Sequence, residues 1–82
     1  MLEAQVLKLE DIYIPARFRS TVEADKVDSI AESIIEIGQQ TPIQVRLGKG
    51  RYVLVTGLHR LEALRALGED TVQALVVQAR KH

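Results

Sequence analysis

An α+β fold, a small mixed sheet covered by two helices, is what this sequence predicts, and three observations carry it. Ile43, Val45 and Leu47 alternate with Gln44 and Arg46, and Gly48-Lys49-Gly50-Arg51 turns that strand back into the aromatic and β-branched run Tyr52 to Thr56, which makes a hairpin. Val27, Ile30, Ile34 and Ile37 repeat at spacings of three and four, the stripe of an amphipathic helix. Beyond Thr56, Gly57 turns the chain and apolar positions recur at Leu58, Leu61, Leu64 and Leu67, so strand, tight turn and helix follow directly on one another.

The remaining elements follow in order. Ala4 to Leu9 reads as a short strand with Val6 and Leu7 as its apolar content, and Pro15, which has no N–H to give, stops regular structure after Glu10-Asp11-Ile12-Tyr13-Ile14. Arg17-Phe18-Arg19 is expected in a loop. Ser20-x-x-Glu23 has the form of a capping box, with Asp25 as a competing cap, and Gly38 ends the first helix. Gln39-Gln40-Thr41-Pro42 connects it to the hairpin. Gly68 stops the second helix, and Val72 to Val77 is a last strand apolar enough for burial on both faces. The expected core is Val27, Ile30, Ile34, Ile37, Ile43, Val45, Val53, Val55, Leu61, Leu64, Val72, Leu75 and Val76, and periodicity leaves strand order open.

With 82 residues the chain reads as one domain over 1–82, small enough to bury only about 60% of the surface its unfolded form exposes. Hydrophobic residues at 46% and charged residues at 27% are the profile of an ordinary globular domain. Eleven acidic and eleven basic residues cancel, so no global field recruits nucleic acid or an anionic membrane, and anion binding has to be local. The absence of cysteine removes disulfides and thiolate chemistry. No secretory segment opens the chain and no apolar run approaches a membrane span, which places the expectation in the cytoplasm with no membrane partner.

Chemistry concentrates at the start of the second helix. A helix's first turn leaves N–H groups without intrahelical partners at the positive end of its dipole, which favours a phosphate or carboxylate there. Gly57 lets a ligand approach the backbone at Leu58, and His59 and Arg60 add two donors. The plainer alternative is a strand-to-helix connection with a surface arginine. Lys26, Ser29 and Ser33 lie on one line of the first helix, a cation and two hydroxyls that can grip a polyanion or simply edge the core. Arg17 and Arg19 around Phe18 fit solvated charges, a phosphate clamp or a nucleic-acid contact. Catalysis finds little support: His59 stands alone as a base, since His82 is at the terminus, no metal-ligand spacing occurs, and Glu32, Glu36 and Glu62 are spread over two helices. A magnesium ion carried in by a nucleotide would need only one or two of those carboxylates. The Gly48-Lys49 pair lacks the spacing of a phosphate loop, and a hairpin separates the helices where a helix-turn-helix would need a short turn.

Several fragments in order resemble the ParB/sulfiredoxin superfamily, specifically the ParB-like N-terminal (ParB-like nuclease) domain. They are Val27-Asp28-Ser29-Ile30-Ala31-Glu32-Ser33-Ile34, Ile37-Gly38, Pro42-Ile43-Gln44-Val45-Arg46, and Tyr52-Val53-Leu54-Val55-Thr56-Gly57-Leu58-His59-Arg60-Leu61-Glu62-Ala63. Where this chain has Gly57-Leu58-His59-Arg60, ParB proteins carry Gly-Glu-Arg-Arg and sulfiredoxins Gly-Cys-His-Arg. The resemblance implies a ParB/sulfiredoxin-like fold and a bacterial or phage-like regulator related to plasmid or chromosome partition. It implies CTP or ATP with Mg2+, held at Gly57, Leu58, His59 and Arg60, with Lys26, Ser29 and Ser33 facing the nucleotide, Arg17 or Arg19 closing the other side, and Glu32 reaching the nucleotide-bound Mg2+. Leu58 stands where sulfiredoxins carry the catalytic cysteine, so reduction of a cysteine sulfinic acid is excluded and no catalytic residue is assigned; slow nucleotide hydrolysis is the most this implies. DNA would be reached through a further segment or partner, and the resemblance allows a homodimer. The alternatives are a small phosphotransferase or nuclease using Glu32, Glu62 or His59, and a non-catalytic interaction module with a vestigial phosphate site.

Overall fold

The computed structural model describes residues 3–38 and 41–78, so Gln39 and Gln40 of the expected connector and His82 lie outside the described residues. The chain runs through β1 (Gln5–Lys8), a 3-10 turn (Leu9–Asp11), β2 (Ile12–Tyr13), α1 (Ala16–Arg19), α2 (Ala24–Ile37), β3 (Ile43–Leu47), β4 (Tyr52–Thr56), α3 (Leu58–Ala66) and β5 (Thr71–Val77). The five strands form one mixed sheet in the order β1-β5-β3-β4-β2. Pairing is antiparallel in β1–β5 and β3–β4 and parallel in β3–β5 and β2–β4. The α+β architecture is as expected, and the connectivity explains where α3 sits. The helix carries the chain from β4 to β5, on the far side of β3, and buries Leu58, Leu61, Ala63 and Leu64. With Ile43, Val45, Leu54, Val72 and Ala74 these leucines form the centre of the core.

Glycines close both long helices. Gly38 (φ 92°) follows α2 and donates to Ile34 O. After α3, the Gly68 N–H bonds to Arg65 O and the Glu69 N–H to Leu64 O, both at 3.0 Å, the paired bonds of a Schellman stop.

Several details differ from expectation. Pro15 opens α1 instead of ending regular structure, because its fixed φ (−55°) suits a helix entrance; Arg17-Phe18-Arg19 is therefore helical, and β2 precedes it. Ser20 forms no capping box: it closes α1 in a helical conformation (φ −80°, ψ −5°), whereas an N-cap side chain acts from extended backbone. Glu23 is the N-cap of α2, with no side-chain cap. The stripe of α2 is only partly covered, since α2 leans on α3 and not squarely on the sheet. Val27, Ile30 and Ile34 are half-buried and Ile37 is 62% exposed.

In β4 the core face belongs to Leu54. Gln44 pairs with Thr56 but Val45 with Leu54, so a bulge skips Val55 and shifts the alternation. Val53 is nonetheless buried and Val55 half-buried, while Leu47, the last residue of β3, is exposed. In β5, Val72 and Ala74 are buried while Thr71 and Gln73 are exposed, so its first half is covered on one face only; Leu75 and Val76 are half-buried. Among the described residues, no helix is long and apolar enough to cross a membrane.

Candidate functional site

Gly57 is the joint between β4 and α3. Its backbone is left-handed (φ 103°, ψ 25°), and a Cβ added there would stand 2.5 Å from Ile43 Cγ2 and 2.8 Å from Ile43 Cβ. The room left by its missing side chain is thus taken by β3. Close packing of the joint on Ile43 demands glycine whether or not a ligand is bound.

The same residue leaves α3 uncapped. Gly57 is the N-cap and has no side-chain oxygen, and the first helical bond runs from the Leu61 N–H to Gly57 O (2.9 Å). The N–H groups of Leu58, His59 and Arg60 therefore lack intrahelical acceptors, at the positive end of the dipole. The Leu58 side chain turns into the core, 7% exposed, so only its backbone is available to a ligand. His59 and Arg60 are half-buried, and no described carboxylate pairs with Arg60. Its guanidinium is uncommitted among the described residues.

A short chain of polar groups ties this turn to α2. The Glu23 N–H donates to His59 Nε2 (3.1 Å), and Lys26 Nζ pairs with Glu23 Oε2 (2.9 Å). The Lys26 hydrogen bond and charge hold the Glu23 carboxyl below its ordinary range. Lys26 and His59 are thus brought to opposite ends of one residue. Local spacing flagged Lys26 and His59 but gave Glu23 only a capping role. The one local sign of its importance is the three-residue step from Glu23 to Lys26.

The other candidates are more dispersed. Ser29 and Ser33 are exposed on α2, the helix packed against α3, with no described hydrogen bond to His59 or Arg60. Arg17 stacks its guanidinium 4.7 Å from the Phe18 ring centroid. Arg19 lines a cleft of about 490 Å³ with Tyr13, Val22, Glu62 and Arg65. Glu62 is engaged with Arg65 at 3.5 Å, and Glu32 is exposed on α2. A second cleft, about 520 Å³, lies between Lys8, Arg65 and Asp70. Neither of these two clefts is lined by Gly57, His59 or Arg60, the half-buried residues that form a shelf at the start of α3. Among the described residues no three His, Asp or Glu side chains gather as metal ligands.

Comparison with known proteins adds five similarities. The family model for the ParB N-terminal domain matches residues 2–82. The chain is 30% identical over 76 residues to the nucleoid occlusion protein of Halalkalibacterium halodurans, covering 90% of this chain and 26% of that protein. It is 35% identical over 75 residues to the chloroplastic/mitochondrial sulfiredoxin of Arabidopsis thaliana, covering 92% of this chain and 60% of that one. The crystal structure of Arabidopsis thaliana sulfiredoxin superposes with a TM-score of 0.81 at 33% identity, over 96% of this chain and 86% of that one. The C-terminally truncated chromosome-partitioning protein ParB from Caulobacter crescentus, complexed with CTP-γ-S, superposes with a TM-score of 0.80 at 26% identity, over 96% of this chain and 46% of that one. The chain spans about a quarter of the length of the nucleoid occlusion protein it matches.

Proposed function

The chain belongs to the ParB N-terminal domain family, and from that premise we propose that it is a nucleotide-binding regulatory domain that holds the phosphates of CTP or ATP at the start of α3. The observation that carries this reading is the uncapped first turn beside Arg60, which has no carboxylate partner among the described residues. Three free amides and a guanidinium suit phosphate oxygens in both charge and direction. The CTP analogue in the similar Caulobacter crescentus structure supports a nucleotide as the anion.

Each residue has a part in this binding. The amides of Leu58, His59 and Arg60 donate to phosphate oxygens, and Arg60 adds a forked, charge-assisted contact. Lys26 is engaged with Glu23 and contributes field from one turn away, while Ser29 and Ser33 offer hydroxyls along the same helix. Arg17 or Arg19 closes the other side. Any Mg2+ would arrive on the nucleotide and offset phosphate charge, and a single exposed carboxylate such as Glu32 would help to hold it. Leu58 offers no nucleophilic atom, so the domain binds, with at most slow hydrolysis. Association with DNA, in keeping with the partition and nucleoid occlusion relatives, runs through a further segment or partner, and a homodimer fits the same reading.

Calorimetric titration with CTP, ATP, GTP and UTP tests the reading. Binding of at least one is expected, and Arg60→Ala weakens it by about 1.5 to 3 kcal/mol, roughly ten- to a hundredfold, with the fold intact. No binding of any of the four at millimolar concentration overturns the nucleotide reading, and normal binding by Arg60→Ala overturns the site.

A further inference from the structure

We propose that the Glu23 amide fixes His59 in its Nδ1–H tautomer and makes the ring a connector between the first turn of α2 and the phosphate shelf of α3. The proposal rests on the nucleotide reading for its ligand end. Its other end is a bond between residues 36 apart in the chain, from the Glu23 N–H to His59 Nε2.

A neutral imidazole has one donor nitrogen and one acceptor, and an imidazolium has two donors and no acceptor. A ring that accepts at Nε2 is therefore neutral and carries its proton on Nδ1. It meets a phosphate as a neutral donor through Nδ1 and cannot offer Nε2 without releasing Glu23. The Glu23 carboxylate is held 2.9 Å from Lys26. Positive charge at the shelf then comes from Arg60, and His59 supplies direction.

The connector also transmits. An imidazole that donates to an anion through one nitrogen becomes a stronger acceptor at the other, because linked hydrogen bonds polarise one another. Phosphate at Nδ1 tightens the Glu23 bond, and Glu23 is the N-cap of α2 and the end of the α1–α2 junction. Occupancy of the shelf is thereby reported to the start of α2, with His59 acting as a positioning residue for that helix.

The test uses the whole chain at about pH 8, where an ordinary imidazole is neutral. Ring-nitrogen correlation spectra are recorded before and after CTP, and the spectrum of His59→Gln identifies which signals belong to His59. The expected result is a protonated Nδ1 and bare Nε2 in the free protein, with amide exchange at Glu23 slowed about two- to tenfold by CTP. His59→Gln, whose amide group both accepts and donates, keeps the Glu23 response wherever CTP binds. His59→Lys, which donates but cannot accept, loses that response even where CTP still binds. An Nε2–H tautomer overturns the connector alone, as does CTP binding that leaves the Glu23 amide unmoved or a His59→Lys protein that keeps the response. An Nδ1–H tautomer in a protein that binds neither CTP nor ATP overturns the nucleotide reading and the connector with it.

Discussion

Gly57→Ala is expected to destabilise the domain by about 2 to 6 kcal/mol, the sum of two separate penalties. The first is conformational: at φ 103° an L side chain is strained, at a cost of roughly 1 to 3 kcal/mol. The second is steric. The new methyl would stand 2.5 Å from Ile43 Cγ2, 2.8 Å from Ile43 Cβ and 3.1 Å from Ile43 Cα, atoms at the root of a buried side chain that cannot swing aside. Overpacking of that kind costs about 1 to 3 kcal/mol more. For a domain of this size the loss corresponds to a fall in Tm of more than roughly 10 °C, measured by thermal unfolding. Gly50→Ala is the control, since that glycine also has positive φ (71°) but nothing within 4 Å of the added atom. If the two substitutions cost the same, Ile43 is not what demands glycine at position 57.

Leu61→Ala has the second large effect, about 2 to 5 kcal/mol. Leu61 is wholly buried on α3, one turn from the phosphate shelf, in a core shared with Ile43, Leu54, Leu58 and Val72. Truncation removes contacts on every side and opens a cavity under α3. Denaturant unfolding measures the loss. Leu67→Ala, on the same helix stripe but half-buried at the helix end, is expected to cost less. Equal costs would contradict the placement of Leu61 at the centre of the core.

These two positions also show what was readable without coordinates. The recurrence of Leu58, Leu61 and Leu64 after Gly57 located α3 and its buried face, because a helix's period leaves a mark in a short window. Gly38 and Gly68 marked helix ends for a similarly local reason: each supplies the positive φ at which the helix stops. The core face of β4 was less visible, since the bulge that drops Val55 from the ladder is a property of the pair β3–β4 and not of either strand. For α2, periodicity identified the apolar side but could not tell how much would cover it. Ile37 is exposed because α3, itself narrow, is what α2 leans on. Arg17-Phe18-Arg19 was too short to display a period, so α1 went unread.

The candidate site divides in the same way. Uncapped amides at α3 follow from a glycine N-cap, which is visible in Gly57-Leu58-His59-Arg60. The link from His59 to Glu23 crosses 36 residues and leaves no local trace. Even the pairing of Glu23 with Lys26, three residues apart on one helix face, gave no sign that Glu23 would also meet α3.

Amide chemical-shift mapping during a titration with CTP and Mg2+ tests the central claim most directly, because it reads individual N–H groups. The predicted result is that the largest displacements fall on Leu58, His59 and Arg60, with Glu23 following, and that they collapse in Arg60→Ala. Displacements centred on the cleft of Lys8, Arg65 and Asp70, or none at all at saturating nucleotide, would contradict it.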